Sequence, residues 1–216
     1  SATPDGIPDW EGAREICEAA ASAGEPAAHV YYGHLLSDAA LYAMSDEERA
    51  GIEASATAEF RKAAEKDFGW GQIEYGWRLR EGKGAPANPA EAETLFKAAQ
   101  ARGMPAAAHA LGRLYLGGEV ASPMNPDEAF AMIRRAADQG DAGAQFFMAE
   151  KLVENWDLKP DYDAALTYYI KAAAADEGDV SWRAQSLIED TKRRVEEEKA
   201  KQDSSPPESE TAPAPT

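Results

Sequence analysis

The sequence lacks several features that define common classes of protein. It has a single cysteine, Cys17, so it can form neither an internal disulfide nor a cysteine-based metal site. It contains no run of 18 apolar residues, which argues against a membrane-spanning helix. Its 22 Lys and Arg are outnumbered by 39 Asp and Glu. The resulting formal charge of −17 disfavours direct binding to nucleic acid, which requires basic side chains.

Large aliphatic side chains are also scarce. Leu, Ile, Val and Phe together number 30 in 216 residues, a fraction that usually accompanies disorder in a highly charged chain. Here 46 Ala, 5 Trp and 8 Tyr supply apolar surface instead. Because Ala is the strongest helix former, this composition predicts close-packed helices. The scarcity of β-branched residues argues against a β-sandwich.

Two short phrases recur along the chain with a shared period. The first phrase occurs as AHVYYGHLL from Ala28, GQIEYGWRL from Gly71, AAHALGRLY from Ala107 and AQFFMAEKL from Ala144. The sixth residue of each copy is small, and these residues, Gly33, Gly76, Gly112 and Ala149, are 43, 36 and 37 positions apart. The second phrase contains the Ala pairs 63–64, 98–99, 136–137 and 172–173, which are 35, 38 and 36 apart. Two independent phrases with one period predict a repeat architecture.

Each repeat is predicted to contain two antiparallel helices. The first helix carries the small residue at the point where its backbone meets a neighbour. The second helix is predicted to begin at an N-cap in residues 45–48 (SDEE), 88–91 (NPAE) and 125–128 (NPDE). It is predicted to end at Gly69, Gly103, Gly140 or Gly178. Recurring aromatic residues, including Tyr31, Phe60, Phe96 and Tyr169, are predicted to belong to the core.

These phrases resemble the Sel-one-like repeat (SLR) family, which is related to tetratricopeptide repeats. The family pattern is roughly Ala-x-x-x-Leu-Gly-x-Leu-Tyr, a Gly-rich loop, and then Lys-Ala-Ala-x-x-Gly. Residues 107–140 fit this pattern best, whereas the first unit has a longer loop and second helix. The resemblance implies an all-α, right-handed α-solenoid of about four helix pairs at residues 25–178. It also implies a non-catalytic scaffold or adaptor that binds other proteins.

The two ends of the chain are predicted to differ from the repeats. Residues 9–24 are predicted to form an N-terminal capping helix, and residues 179–202 a charged C-terminal capping helix that ends the stack. Residues 1–8 and the tail at 203–216, which is rich in Pro, Ser, Glu and Thr, are predicted to be flexible. They have too few large apolar side chains to offset the entropy of ordering.

No pattern typical of an enzyme, a cofactor site or a metal site is present. His29 and His34 are five positions apart, which places them on different sides of a helix and makes them a poor metal pair. The EGKG sequence at 81–84 lacks the Lys-Ser/Thr ending of a phosphate-binding loop. Cys17 lies among alanines and is predicted to be a small buried residue. We therefore predict no enzymatic activity, no cofactor and no metal.

A row of polar and aromatic residues follows the small residues of the first helices. In the related repeats the first helices line the groove, so the resemblance implies a partner-binding role for this row. Its members are His34, Trp77, Arg80, Arg113, Glu150 and Glu154. Trp and Arg are enriched at binding hot spots, and Trp156 in the loop ENWDLKPD is predicted to be a secondary anchor. The alternative is that Trp77 packs over the next repeat and the charged residues are merely solvated.

Acidic residues are concentrated near the N-terminus. Residues 1–60 contain 12 acids and two bases, whereas residues 61–188 contain 19 acids and 15 bases. A field of this sign steers basic partners toward that end, although it also serves solubility. We expect the partner to be another protein or peptide, and a partner with a basic surface would fit this charge. A monomer is favoured for the chain itself.

Other functions and locations stay open at this point. The family resemblance also implies an immunity or inhibitor protein that neutralises an effector enzyme, or a cell-wall or β-lactam hydrolase. An Ala-rich chain with this tail suits bacterial envelope assembly or regulation in the periplasm, with the cytoplasm as the alternative. The start at Ser1 is equally compatible with a mature exported chain, a trimmed chain or a cytosolic chain that has lost its Met.

Overall fold

The computed structural model describes residues 10–121, 124–154, 160–175 and 178–204. All regular secondary structure in these ranges is α-helical, which confirms the predicted all-α class. None of the helices described there is long and apolar enough to cross a membrane. The chain divides into two compact units, Ser1–Asp141 and Ala142–Thr216. Trp156, residues 1–8 and residues 205–216 lie outside the described ranges.

In the described part of the first unit, seven helices follow one another along the chain. They are α1 (Trp10–Ser22), α2 (Pro26–Ala40), α3 (Asp46–Glu65), α4 (Gly69–Glu81), α5 (Pro89–Gln100), α6 (Pro105–Leu116) and α7 (Pro126–Asp138). Helices α2 and α3, α4 and α5, and α6 and α7 pack together as pairs. The first helix of each pair also contacts the first helix of the next, α2 with α4 and α4 with α6.

The small residues identified in the first phrase lie where the two helices of a pair meet. A Cβ atom at Gly33 would be 2.6 Å from Cε1 of Phe60 on the second helix of that pair. A Cβ at Gly76 would likewise be 2.4 Å from Cε1 of Phe96, and one at Gly112 would be 2.4 Å from Cγ1 of Ile133. Because Cβ atoms do not pack this closely, glycine allows the first helix to rest directly on a large side chain of the second.

Alanines and a few large side chains form the core of the first unit. Phe60, Phe96, Leu111, Leu114 and Ile133 are its largest fully buried side chains. Each Ala pair of the second phrase contributes at least one buried residue, which keeps neighbouring helices close. Tyr31 departs from the prediction, because its side chain lies on the surface and is 66% exposed.

The predicted helix starts are confirmed by capping hydrogen bonds. The backbone N–H of Glu48 donates to Ser45 Oγ at 3.1 Å, and that of Glu91 donates to Asn88 Oδ1 at 3.3 Å. Asn125 forms a full capping box, since its Oδ1 accepts from the Glu128 N–H and its own N–H donates to the Glu128 carboxylate. These bonds satisfy N–H groups that otherwise have no partner at a helix start.

The predicted helix ends are correct at two positions and wrong at two others. Gly103 and Gly140 follow α5 and α7 with φ of +78° and +96°, the left-handed conformation that favours glycine. Gly69 instead begins α4, and the residue with positive φ before it is Asp67. A Cβ at Gly69 would be 2.3 Å from Sδ of Met104, so a larger residue there would have to displace the flexible Met104 side chain. Gly178 likewise begins a helix rather than ending one.

Three helices, α8 (Ala142–Val153), α9 (Tyr162–Ala174) and α10 (Gly178–Ser204), form the described part of the second unit. Its core includes Phe146, Ala149, Tyr169 and Ala184, with the Phe146 and Tyr169 ring centroids 5.6 Å apart. Ala149 here occupies the position of the glycines in the first unit. Helices α1 and α10 cover most of the residues predicted to form caps, and their capping role stays a prediction.

Candidate partner-binding site

Three of the predicted groove residues come together in the first unit. Trp77 and Arg80 belong to α4, and Arg113 belongs to α6. The guanidinium carbon of each arginine lies 5.2 Å from the centroid of the Trp77 ring. Both distances are within the range of cation–π attraction, which is strongest for tryptophan. We call Trp77, Arg80 and Arg113 the Trp77 cluster.

Trp77 also packs against the interior of the unit. Its half-buried ring lies 5.4 Å from the Phe96 ring and 6.1 Å from the His109 ring, measured between centroids. His109 belongs to α6, so Trp77 does reach the next helix pair, as the alternative interpretation of the sequence required. The indole is therefore held in one orientation by packing while part of it stays accessible.

Arg80 is held by an acidic side chain beyond α6. Its Nε lies 2.9 and 3.0 Å from the two carboxylate oxygens of Glu119, and its Nη2 lies 2.6 Å from Oε1. This forked geometry fixes the plane of the guanidinium group while it contacts Trp77. Glu119 lies in a loop outside the repeated phrases, so the repeat pattern gave no indication of it.

His34 has different neighbours. Its ring makes an edge contact with Phe60 at a centroid distance of 5.1 Å, and its Nε2 lies 3.7 Å from Oε1 of Glu74. Burial raises the pKa of Glu74, although the charges of His34 and Arg78 oppose that shift. His34 thus takes part in the contact between α2 and α4 and not in the Trp77 cluster.

The last two members of the predicted row belong to the second unit. Glu150 lies on α8, with its Oε1 3.9 Å from Nη2 of Arg183 on α10. Glu154 follows α8 and forms an ion pair with Lys151 at 2.6 Å. Burial, with added repulsion from Glu150 and Glu154, raises the pKa of Tyr169 to about 12. Both glutamates therefore lie near a buried tyrosine of their own unit.

A buried polar network between α2, α3 and α4 was missed by sequence reasoning. Arg78 on α4 donates hydrogen bonds to the Glu53 carboxylate and to Ser37 Oγ, and its guanidinium lies 5.1 Å from the Phe60 ring centroid. Lys83 Nζ adds a second cation 3.0 Å from Glu53. The sequence does contain a signal for this network. Arg78 is two positions after Gly76, and the residue two positions after Gly112 in the next repeat is the buried Leu114, so a charged residue occupies a core position.

A second polar network joins α2 to α3. Nδ1 of the buried His29 lies 2.7 Å from Glu59 Oε2, and Lys62 donates to Glu59 Oε1 at 2.6 Å. Burial raises the pKa of Glu59, but hydrogen bonds from Lys62 and His29 outweigh it and lower the pKa overall. Both networks connect helices internally. Within the described ranges, no three His, Cys, Asp or Glu side chains converge as a metal ion would require.

Paired helices with small-residue contacts at a regular period are typical of an α-helical repeat protein of the solenoid class. Three segments of the chain, residues 71–103, 105–141 and 142–177, match the model of the Sel1 repeat. The chain contains three Sel1 repeats, which confirms the resemblance. This family generally mediates protein–protein interaction as a non-catalytic scaffold. The first predicted repeat lies outside the matched segments and stays a prediction.

Comparisons with individual proteins agree with this family. The chain is 33% identical over 124 residues to chitin synthase regulatory factor 4 of Schizosaccharomyces pombe. The matched region covers 57% of this chain and 19% of the yeast protein. It is similar to the crystal structure of c5321, a protective antigen of uropathogenic Escherichia coli with an SLR fold (TM-score 0.52, 23% identity, 84% of this chain, 37% of that one). It is also similar to a Sel1 repeat protein from Oxalobacter formigenes (TM-score 0.50, 24% identity, 74% and 63%). These likenesses confirm the predicted α-solenoid fold class.

Proposed function

We propose that this protein is a non-catalytic adaptor that binds a segment of another protein at the Trp77 cluster. The observation that carries this proposal is the placement of two guanidinium groups over one half-buried tryptophan ring. Tryptophan and arginine dominate binding hot spots, and side chains already held in place lose little entropy on binding. Packing against Phe96 and His109 holds Trp77, and Glu119 holds Arg80.

The chemistry of the cluster suits recognition of a polypeptide segment. A guanidinium group that lies face-on against an indole keeps its N–H donors along its edges. Glu119 already accepts from Nε and Nη2 of Arg80, so a carbonyl or carboxylate oxygen of a partner would use the remaining N–H groups of the cluster. The exposed part of the indole suits an apolar side chain. The adjacent placement of α4 and α6 supplies both kinds of contact on one surface.

The pathway and compartment are part of the same proposal. The yeast relative is named as a regulatory factor, and the two similar solved structures come from bacteria. We propose a regulatory or assembly role in a bacterial envelope, with the protein in the periplasm. Fractionation of cells that express the untagged full-length gene tests the compartment. Recovery in the cytosolic fraction contradicts this part of the proposal.

The binding surface is tested with matched baits. Three baits are used to capture proteins from lysate of the source cells: wild type, a Trp77→Phe/Arg113→Ala variant (the cluster variant), and an Arg134→Ala variant. Arg134 is an informative control because it also lies over an aromatic ring, that of Phe130 at 5.7 Å, on α7. The choice of Phe at position 77 keeps an aromatic ring against Phe96 and so limits damage to the core.

We expect wild type and the Arg134→Ala variant to capture one partner protein in stoichiometric amount. The cluster variant is expected to lose it. Circular dichroism of the cluster variant must stay helical, since loss of helicity would assign Trp77 and Arg113 to packing alone. Equal capture by all three baits contradicts the proposed surface. If the captured protein is an enzyme whose activity falls on binding, the inhibitor alternative replaces the adaptor interpretation.

A further inference from the structure

The N-terminal end of the first unit exposes several large apolar side chains. Among the described residues, the large hydrophobic side chains that are clearly exposed include five between positions 16 and 44. They are Ile16, Tyr31, Leu41, Tyr42 and Met44, with exposed fractions from 66% to 94%. In the described residues from 71 to 154, by contrast, no large hydrophobic side chain is exposed to this degree. An apolar concentration of this kind marks an interaction surface more often than chance.

The exposed residues continue into a cavity beside α2. Tyr31, Leu35, Asp38 and Tyr42 are spaced by four, three and four positions, so they share one face of this helix and its last turn. A cavity of 380 Å³ is lined by Tyr32, Leu35, Leu36, Ala39, Tyr42 and Asp38, together with Arg14 of α1. Its volume and largely apolar lining are those of a ligand-binding cleft, which is typically about 300–1,000 Å³. We call this face and its cavity the α2 face.

The surroundings of the α2 face are acidic. Asp38 lies on the face itself, and Glu15 and Glu18 are exposed on α1. Burial, and after it the charge of Glu18, raises the pKa of the cavity-lining Tyr32, while Arg14 opposes the shift. Arg49 adds little positive charge, because it pairs with Asp46 at 2.9 Å.

We propose that the α2 face binds a basic amphipathic segment of a partner protein. A bulky apolar side chain of that segment enters the cavity, and its Lys or Arg residues pair with Asp38 and Glu18. Charge complementarity favours this occupant, because residues 1–60 contain 12 acids and two bases, and ten acids remain when Glu53 and Glu59, which are paired inside the fold, are left out. A second copy of a chain with a net charge of −17 is repelled, and so is a membrane surface of anionic lipids. This site is separate from the Trp77 cluster, and its test does not depend on that cluster.

The test uses the full chain and three labelled synthetic peptides. The first is a short amphipathic peptide of Leu, Trp and Lys; in the second Glu replaces Lys, and in the third Ser replaces Leu and Trp. Fluorescence anisotropy at low and at physiological salt is measured for wild type and a Tyr31→Ser/Tyr42→Ser variant. A Trp182→Ser variant serves as the matched control, since Trp182 is 68% exposed on α10 in the other unit.

We expect wild type to bind the basic amphipathic peptide and to bind the other two far more weakly. The Tyr31→Ser/Tyr42→Ser variant is expected to bind about tenfold more weakly or worse, as loss of hot-spot contacts predicts. Because both tyrosines are exposed, this variant is expected to keep its helical circular dichroism. The Trp182→Ser variant is expected to bind as wild type does.

The charge part of the proposal has its own pair of variants. Asp38→Asn is expected to weaken peptide binding at low salt and to make binding less dependent on salt concentration. Glu196→Gln on α10, the matched control, is expected to change neither property. Equal peptide binding by wild type and the Tyr31→Ser/Tyr42→Ser variant overturns the proposal, as does a failure of wild type to bind the basic peptide. A wild-type dimer in sedimentation that this variant abolishes assigns the α2 face to a second copy instead.

Discussion

The helix pairs α2/α3 and α6/α7 each contain the same kind of glycine contact, but the side chains around that contact differ. In both pairs a glycine of the first helix rests on a large side chain of the second, Gly33 on Phe60 and Gly112 on Ile133. Beside Gly112, the side chains of Leu111 and Leu114 are fully buried, whereas Arg113 lies over the Trp77 ring. The glycine contact of the later pair is therefore surrounded by close apolar packing, although His109 of α6 also forms a buried ion pair with Asp141 at 3.0 Å.

Polar networks replace much of this apolar packing around α2/α3. Glu59 and Glu53 of α3 are buried there, the first against His29 and the second against Arg78 of the neighbouring α4. The glycine contact therefore fixes how two helices meet, whereas the side chains around it can be apolar or ionic. The Sel1 repeat model matches residues 105–141 and begins at residue 71, after the polar pair.

The largest expected effect comes from removing the acid of the Arg78–Glu53 pair. Glu53→Ala leaves the buried guanidinium of Arg78 without its carboxylate, and each of these side chains is only 9% exposed. Loss of one partner of a buried ion pair costs about 3–5 kcal/mol. Urea unfolding followed by circular dichroism measures the loss in free energy of unfolding.

A charge-free replacement shows whether the ion pair itself is needed. A Glu53→Leu/Arg78→Met double variant leaves no unpaired charge and is expected to recover most of the stability lost in Glu53→Ala. Such recovery would make the first pair resemble the apolar pair α6/α7. A double variant as unstable as the single one contradicts this interpretation and assigns the loss to packing around Ser37 and Phe60.

The next effect concerns the contact that the two pairs share. A Cβ at Gly112 would lie 2.4 Å from Ile133 Cγ1 and 3.0 Å from the carbonyl oxygen of Ala129. Gly112→Leu is therefore expected to destabilise the protein by about 1–3 kcal/mol or more, because overpacking forces the helices apart. The matched control is Gly51→Leu on α3, where a Cβ meets nothing within 4 Å.

Gly51→Leu is expected to raise stability by about 0.5–1 kcal/mol, because glycine is a poor helix former. Thermal unfolding of both variants reports the two effects with opposite signs. An unchanged melting temperature for Gly112→Leu would falsify the repeat register that places position 112 at the helix contact.

The repeat register could be predicted because each of its signals is a local requirement. Close approach demands a small residue at positions 33, 76 and 112, and a helix start demands a capping side chain at Ser45, Asn88 or Asn125. The polar networks could not be predicted in the same way. Pairing of Arg78 with Glu53 spans 25 positions and depends on the packing of three helices. A sequence shows a charged residue in an apolar position but not the partner that neutralises it.

The candidate site was only partly predictable for the same reason. Helical spacing together with the repeat register predicted that Trp77, Arg80 and Arg113 share a surface, and they do meet in the first unit. Glu119 was missed because loop conformation sets its position. The same reasoning placed Tyr31 in the core, whereas its side chain is 66% exposed. Repetition predicts which face of a helix a residue occupies, but not whether another element covers that face.

The smallest expected effect is the response of the polar pair to acid. Hydrogen bonds from Lys62 and His29 outweigh burial and hold the pKa of Glu59 below its ordinary value of 4.5. A carboxyl group with a lowered pKa in the folded state stabilises the fold fully above pH 4.5. That contribution is lost as the pH falls from there through the lower folded pKa. Glu59→Gln removes the titrating group, so denaturant titrations of this variant are expected to show a weaker loss of stability in that acid range. An acid response identical to that of wild type would show that the His29–Glu59–Lys62 network does not distinguish the polar pair from the apolar one.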